Sequence, residues 1–191
     1  MDKLLYEAYY KILNMKSSEV LYNYYCFKNK HGSYDSDDNP TACGITSFAI
    51  INKLENIFGS VSMKGNLLDA KIYIMQNSNT VLKIGISTYR YSNGIFPGHS
   101  FVVIPLGSEK YMLLQSYIDH YSLSEWIEKK QIVYSKNEII EIIDFMMMFE
   151  TEKNFTKEMM KKWEQLTKVP LIIEEHQIKH GNTFIICLEL E

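Results

Sequence analysis

The first sixty residues of the chain carry apolar side chains at helical spacing. Residues 2–15 have leucine, alanine, tyrosine and isoleucine side chains on one face, which predicts a helix. A second helix is predicted over about 17–28, after two serines of the type that caps helices. A third is predicted over 41–58, with Gly59 as its end. Residues 30–40, rich in Asp, Asn, Ser and Gly, are predicted to be a loop, and His31 falls within it.

The middle of the chain has the composition of β-strands. Strands are predicted where β-branched and aromatic residues concentrate, at 80–90, 99–104 and 110–118. Residues 67–75 are ambiguous, with a helix favoured over a strand. Helical patterns return at 122–130, 136–149 and 156–167. Two further strands, 171–178 and 183–190, are predicted around a turn at His180-Gly181-Asn182.

Helices, then mainly antiparallel strands, then helices and a C-terminal strand pair are the order of an α+β fold. Strands and helices do not alternate regularly, which argues against a doubly wound parallel sheet. With 191 residues the chain has the length of one domain. A domain of that size can bury a sizeable core without disulfides or metals. We therefore expect a single domain over residues 1–191.

Composition narrows the classes of partner and compartment. The net charge is −3 and no basic stripe is present, so nucleic acid is a poor candidate partner. The chain lacks an apolar run long enough for a signal peptide or a transmembrane helix, so no membrane association is expected. Three cysteines without a CxxC pair favour a reducing compartment. We expect a cytoplasmic protein, or one exported without a cleavable signal.

One cysteine has an environment that differs from the other two. Cys26 and Cys187 lie in apolar stretches, where a free cysteine packs as a small apolar residue. Cys43 instead follows a polar, proline-containing loop and falls in the first turn of the third predicted helix. Free N–H groups and the helix dipole there lower the pKa of a thiol, and the thiolate is the nucleophile. Gly44 would let a substrate backbone approach closely.

His99 is the best candidate for a general base. It opens a predicted strand after Pro97-Gly98, whereas His120 ends a strand and His176 and His180 flank the C-terminal turn. A three-residue loop centred on Gly107 would place His99 opposite Gln115 on the next strand, close enough for a hydrogen bond. Gln115 could then fix the imidazole tautomer.

Asp119 is the alternative third member of the site. Its carboxylate would stabilise an imidazolium better than an amide would. It lies four residues beyond Gln115, however, which is about 13 Å along a strand. Geometry therefore favours Gln115, and Asp119 would need a shifted register or a bend.

The order Cys43, His99, Gln115 resembles that of the papain-like cysteine hydrolase superfamily in its broad sense. The Cys–His–Gln set is similar to that of cycle-inhibiting-factor effectors, which deamidate a glutamine of ubiquitin-like proteins, and papain-fold toxins usually have Asp third. The resemblance covers about residues 37–120 and implies a papain-like arrangement of the α+β fold. Papains have a glutamine six residues before the nucleophile, where this chain has Asp37. That departure counts against plain papain peptidase activity and leaves Asn39 or Thr41 as candidate oxyanion donors.

The resemblance implies a thiol-dependent amide hydrolase acting on a protein or peptide. It would be a glutamine deamidase or protease, or a transamidase with an amine acceptor. By resemblance alone it could be an effector or toxin delivered into a host cytoplasm. The alternative is a non-enzymatic protein-binding module with a coincidental or decayed triad.

Other candidate sites are weaker. The acidic run that starts at Asp35 begins like a calcium loop, but Pro40 stands where glycine is required. No spacing matches a zinc or nucleotide site, so neither metal nor cofactor is expected. The run Met146-Met147-Met148 is expected to pack inside a helix bundle, with a pliable partner groove as the less favoured interpretation.

Overall fold

A computed structural model describes residues 3–32, 42–59, 61–64, 66–90, 98–116, 132–151, 157–168 and 178–189. Its helices are α1 (Lys3–Leu13), α2 (Ser17–His31), α3 (Ala42–Phe58), α4 (Leu67–Met75), α5 (Lys136–Thr151) and α6 (Lys157–Thr167). Its strands are β1 (Val61–Lys64), β2 (Thr80–Arg90), β3 (Gly98–Gly107), β4 (Lys110–Gln115), β5 (Val133–Ser135) and β6 (Ile178–Glu189).

The six strands form one antiparallel sheet in the order β1-β6-β2-β3-β4-β5. Side chains alternate along each strand, so each strand supplies residues to both faces. On one face Val102 and Ile104 of β3 pack with α1, α2 and α3. On the other face Phe101 and Val103 pack with α4, α5 and α6. The described residues thus form an α+β fold with helices on both faces of an antiparallel sheet.

Most of the predicted elements are confirmed to within a few residues, and residues 67–75 are a helix. Asn66 explains where α4 begins, because its side-chain oxygen accepts a hydrogen bond from the Asp69 N–H (3.0 Å). α3 ends as expected, with the Gly59 N–H donating to the Glu55 carbonyl (3.3 Å) at a positive φ of 146°. The predicted helix at 122–130 and all but the last residue of the predicted strand at 171–178 lie outside the described residues.

The predicted turn at His180-Gly181-Asn182 is wrong. These residues lie inside β6, where Gly181 pairs with Thr88 and Asn182 with Ser87. These residue types favour turns, but here their backbones form hydrogen bonds with β2, and this pairing holds them in a strand. The short strands β1 and β5 were not predicted, because three or four residues carry too little alternation to identify a strand.

The hairpin between β3 and β4 also differs from the prediction. Its turn is Ser108-Glu109, two residues that both adopt positive φ (51° and 57°), and Gly107 precedes them at φ 81°. A two-residue turn of this type matches the twist of antiparallel strands. Serine and glutamate are uncommon at such positions, and this explains why a loop centred on the glycine was the simpler prediction. The consequence is a register two residues away from the predicted one.

No helix in the described part of the chain is long and apolar enough to cross a membrane.

Two buried tyrosines make stability sensitive to alkaline pH. The Tyr9 hydroxyl donates to the Pro105 carbonyl (3.3 Å), and the Tyr111 hydroxyl donates to the Ile74 carbonyl (3.2 Å). Burial raises the pKa of both phenols, and nearby Glu109 adds to the rise for Tyr111. Below the tyrosine pKa of the unfolded state, about 10, both phenols are neutral and their full contribution to the free energy of unfolding is present. As the pH rises further the unfolded state loses its protons first, so stability falls.

We therefore expect the free energy of unfolding to decrease above about pH 10, and to decrease less steeply in Tyr9→Phe. Urea unfolding between about pH 8 and 11 measures this slope. Tyr10→Phe is the matched control, since Tyr10 is 62% exposed and should keep the wild-type slope. Equal slopes for wild type and Tyr9→Phe would contradict the prediction.

Candidate functional site

Cys43 lies in the first turn of α3, as the sequence predicts. α3 begins at Ala42, so Cys43 is its second residue and its N–H belongs to the group that has no partner within the helix. Helical spacing places Cys43 on the same side of α3 as Ile50 and Leu54, which pack toward the sheet. The Cys43 side chain is accordingly buried, with 1% of its surface exposed.

Two residues with hydroxyl side chains, Thr46 and Ser47, follow Cys43 along α3. The Ser47 hydroxyl donates to the Cys43 carbonyl (2.7 Å), an intrahelical bond that occupies that oxygen. The Thr46 hydroxyl is fully buried and has no hydrogen-bond partner among the described residues. A buried hydroxyl without a partner is uncommon in a native core. Thr46 is therefore an unusual polar residue in the core, one turn after Cys43.

For His99 the structure describes the backbone position. His99 is the second residue of β3 and pairs with Ile86 of β2. Of the sheet strands, α3 packs most closely on β3. Ser100, the next residue, is buried. It alternates along β3 with Val102 and Ile104, whose side chains lie on the α3 face of the sheet. His99 alternates with Phe101 and Val103.

The predicted pairing of His99 with Gln115 is wrong. Gln115 pairs with Phe101, and Val103 pairs with Leu113 rather than with Tyr111. The Gln115 amide donates to the Thr167 carbonyl at the end of α6 (2.8 Å). Gln115 is thus buried on the face of the sheet that carries α6, whereas Cys43 lies on the face that carries α3. The structure does not bring these two side chains together.

The remaining candidates, Asn39, Thr41 and Asp119, lie outside the described residues.

Lys83 is a buried residue that the sequence analysis missed. It is fully buried on β2, pairs with Val102, and its Nζ lies 3.9 Å from the centroid of the Phe48 ring. A cation over an aromatic face is stabilised, although a buried ammonium still loses hydration. In the sequence Lys83 looks like the solvent side of an alternating strand. Helices cover both faces of this sheet, and alternation of polar and apolar residues along β2 therefore did not indicate that Lys83 is buried.

A second polar cluster joins α2 to α3. The Glu55 carboxylate, with 4% of its side-chain surface exposed, binds Lys30 Nζ (2.7 Å) and His31 Nε2 (2.8 Å). The His31 ring also packs on Phe27, with ring centroids 4.6 Å apart. His31 is the last residue of α2, so its predicted place in the loop is wrong. No sequence spacing indicated this contact, because it depends on how the two helices cross.

Among the described residues, no group of three or more His, Cys, Asp or Glu side chains is placed to hold a metal ion. Comparisons of the chain with protein-family models, with curated proteins and with solved structures found no match.

Proposed function

We propose that the chain is a cysteine hydrolase in which the Cys43 thiol attacks an amide carbonyl. The observation that carries the proposal is the position of Cys43 in the first turn of α3. Backbone N–H groups at a helix start favour a thiolate and can hold the oxyanion that forms when a carbonyl is attacked.

His99 is the base in this proposal. It removes the thiol proton, and the sulfur then forms a bond to the carbonyl carbon. The carbon–nitrogen bond breaks, the leaving amine takes the proton from the imidazolium, and a thioester is left on Cys43. Water activated by the imidazole then cleaves the thioester and restores the thiol. His99 alternates along β3 with Phe101 and Val103, which lie on the α6 face of the sheet. The proposal therefore requires the His99 imidazole to reach Cys43 around the start of β3.

Gln115 has no part in the proposed site. Asp119 is the remaining candidate to orient the imidazole, because a carboxylate stabilises an imidazolium more strongly than an amide does.

The substrate follows from the chemistry and from the resemblance to papain-like deamidases. A glutamine side chain as substrate gives deamidation, a peptide bond gives proteolysis, and an amine acceptor gives transamidation. We favour a protein substrate, with a glutamine deamidase or protease as the activity. The effector-like resemblance extends the proposal to action within a host cytoplasm.

The alternative function is a non-enzymatic protein-binding module. It is favoured by α4, which buries Leu67, Ala70 and Ile74 on one side. Leu68, Ile72 and Met75 lie on the other side at helical spacing, with 52%, 41% and 55% of their surfaces exposed. An apolar stripe of this kind is typical of a surface that a partner covers.

Alkylation of Cys43 by iodoacetamide distinguishes these functions. We expect Cys43 in the folded protein to react with a pH midpoint below the ordinary thiol value of about 8.5. His99→Ala should slow this reaction by about tenfold or more, since the base would no longer stabilise the thiolate. Peptide mass spectrometry after quenching measures each cysteine separately.

Cys26 is the internal control in every sample. It is a half-buried free thiol on α2, and its alkylation rate should be the same in wild type and in His99→Ala. A Cys43 that reacts only when urea unfolds the chain would contradict the hydrolase proposal and favour the binding module. If Cys43 reacts at a rate that does not depend on His99, Cys43 remains the proposed nucleophile and His99 is rejected as the base.

A further inference from the structure

A groove of about 630 Å³ lies between α5 and α6. Its apolar side is formed by Phe145, Met148 and Met159. Phe145 is buried at its base, Met159 is half-buried, and Met148 is 39% exposed. The groove lies on the α6 face of the sheet and is therefore separate from Cys43 on the α3 face. Small-molecule sites have volumes of about 300–1,000 Å³ and mainly apolar walls, and this groove falls within that class.

The other side of the groove is polar and carries net positive charge. Lys161 and Lys162 line it together with Glu158 and Gln165, all from one face of α6. Among the described lining residues, two ammonium groups against one carboxylate leave an excess of one positive charge, although the whole chain has a net charge of −3. The groove thus combines an apolar wall with a cationic rim.

The two groove lysines have no carboxylate partner among the described residues. Lys30, Lys53, Lys71 and Lys136 each bind a carboxylate. Lys161 and Lys162 form no ion pair or hydrogen bond with another described residue, so no described carboxylate competes with a ligand for their charge. Methionine side chains, which are flexible and polarisable, can adapt to an apolar body of varied shape.

We propose that the α5–α6 groove binds a small amphiphilic carboxylate, with its apolar body against Met148 and Met159 and its anionic head between Lys161 and Lys162. The charge balance of the rim selects an anion over a cation. The apolar wall selects a hydrocarbon or ring body over a simple inorganic anion. This binding is independent of the hydrolase proposal because its residues belong to α5 and α6, on the face of the sheet opposite α3.

The test uses dodecanoate below its micelle concentration, with isothermal titration calorimetry on the whole chain. We expect saturable binding at one site. Lys161→Glu/Lys162→Glu should weaken it by about tenfold or more, since two favourable charge contacts become repulsive. Met148→Gln should weaken it severalfold, because a polar amide replaces a thioether against the apolar body.

Matched controls separate the groove from general surface effects. Lys11→Glu/Lys157→Glu makes the same change in net charge at exposed positions outside the groove and should bind like wild type. Met75→Gln repeats the methionine change on α4, where the side chain is 55% exposed. Dodecanol, which has the same chain without the charge, should bind at least tenfold more weakly.

Three results would overturn the proposal. One is the absence of saturable dodecanoate binding to a folded chain. Another is equal loss of affinity in the groove variants and their controls. The third is dodecanol binding as tightly as dodecanoate. If the first result is accompanied by sedimentation of the chain with anionic phospholipid vesicles, the occupant is a membrane surface.

Discussion

Trp163→Ala should lower the free energy of unfolding by about 3–5 kcal/mol, the range measured when a large buried aromatic side chain is truncated. Trp163 is 2% exposed and anchors α6 to the sheet. Its ring centroid lies 6.3 Å from that of Phe101 on β3 and 5.7 Å from that of Phe145 on α5. The truncation removes contacts to two elements at once and leaves a cavity that neither ring can fill.

Urea unfolding followed by circular dichroism measures this loss without depending on tryptophan fluorescence. Tyr10→Ala is the control, since Tyr10 is an aromatic residue with 62% of its surface exposed and should cost less than about 1 kcal/mol. A loss below about 1 kcal/mol for Trp163→Ala would show that α6 does not depend on this contact.

Replacing Gln115 by methionine should lower stability by about 1–3 kcal/mol while leaving the alkylation rate of Cys43 unchanged. The Gln115 amide and the Tyr134 hydroxyl both donate to the Thr167 carbonyl (2.8 and 3.2 Å). The Thr167 hydroxyl in turn donates to the Trp163 carbonyl (2.9 Å). Gln115 therefore fixes the end of α6, and removing its amide leaves buried polar groups with fewer partners.

A double-mutant cycle with Tyr134→Phe isolates this interaction. Because both side chains donate to one oxygen, we expect the double variant to lose more stability than the two single losses together, by about 0.5–3 kcal/mol. A triad member would behave differently, with a large fall in Cys43 reactivity and a small change in stability. Slower alkylation in Gln115→Met at unchanged stability would therefore restore the catalytic assignment.

The sequence predicted elements whose signal is local. The helix start at Cys43 could be identified because Asn39-Pro40 and Gly59 bracket an apolar repeat, and those signals act within a few residues. The β3–β4 register could not, because it depends on positive φ at Ser108 and Glu109, which those residue types seldom adopt. A two-residue error in register sufficed to place Gln115 beside the wrong partner.

The burial of polar residues in the core also could not be predicted from local sequence patterns. Lys83 and Glu55 look like exposed residues in the chain, and each is buried only because a second element covers it. Their burial is set by the crossing of α2 over α3 and by the packing of α3 on the sheet. Long-range packing of this kind overrides the local preference for solvent.

The position of β6 between β1 and β2 has a consequence for how the protein is made. Val61 of β1 and Val81 of β2 both pair with Leu188, although most of the chain separates β1 and β2 from β6. A ribosome therefore releases β2, β3 and β4 well before β6 exists, and one edge of β2 has no strand to bind meanwhile. Pairings of such sequence separation form slowly, and open strand edges are sites of aggregation. Newly made chains should thus need a chaperone mainly to shield the β2 edge until β6 emerges.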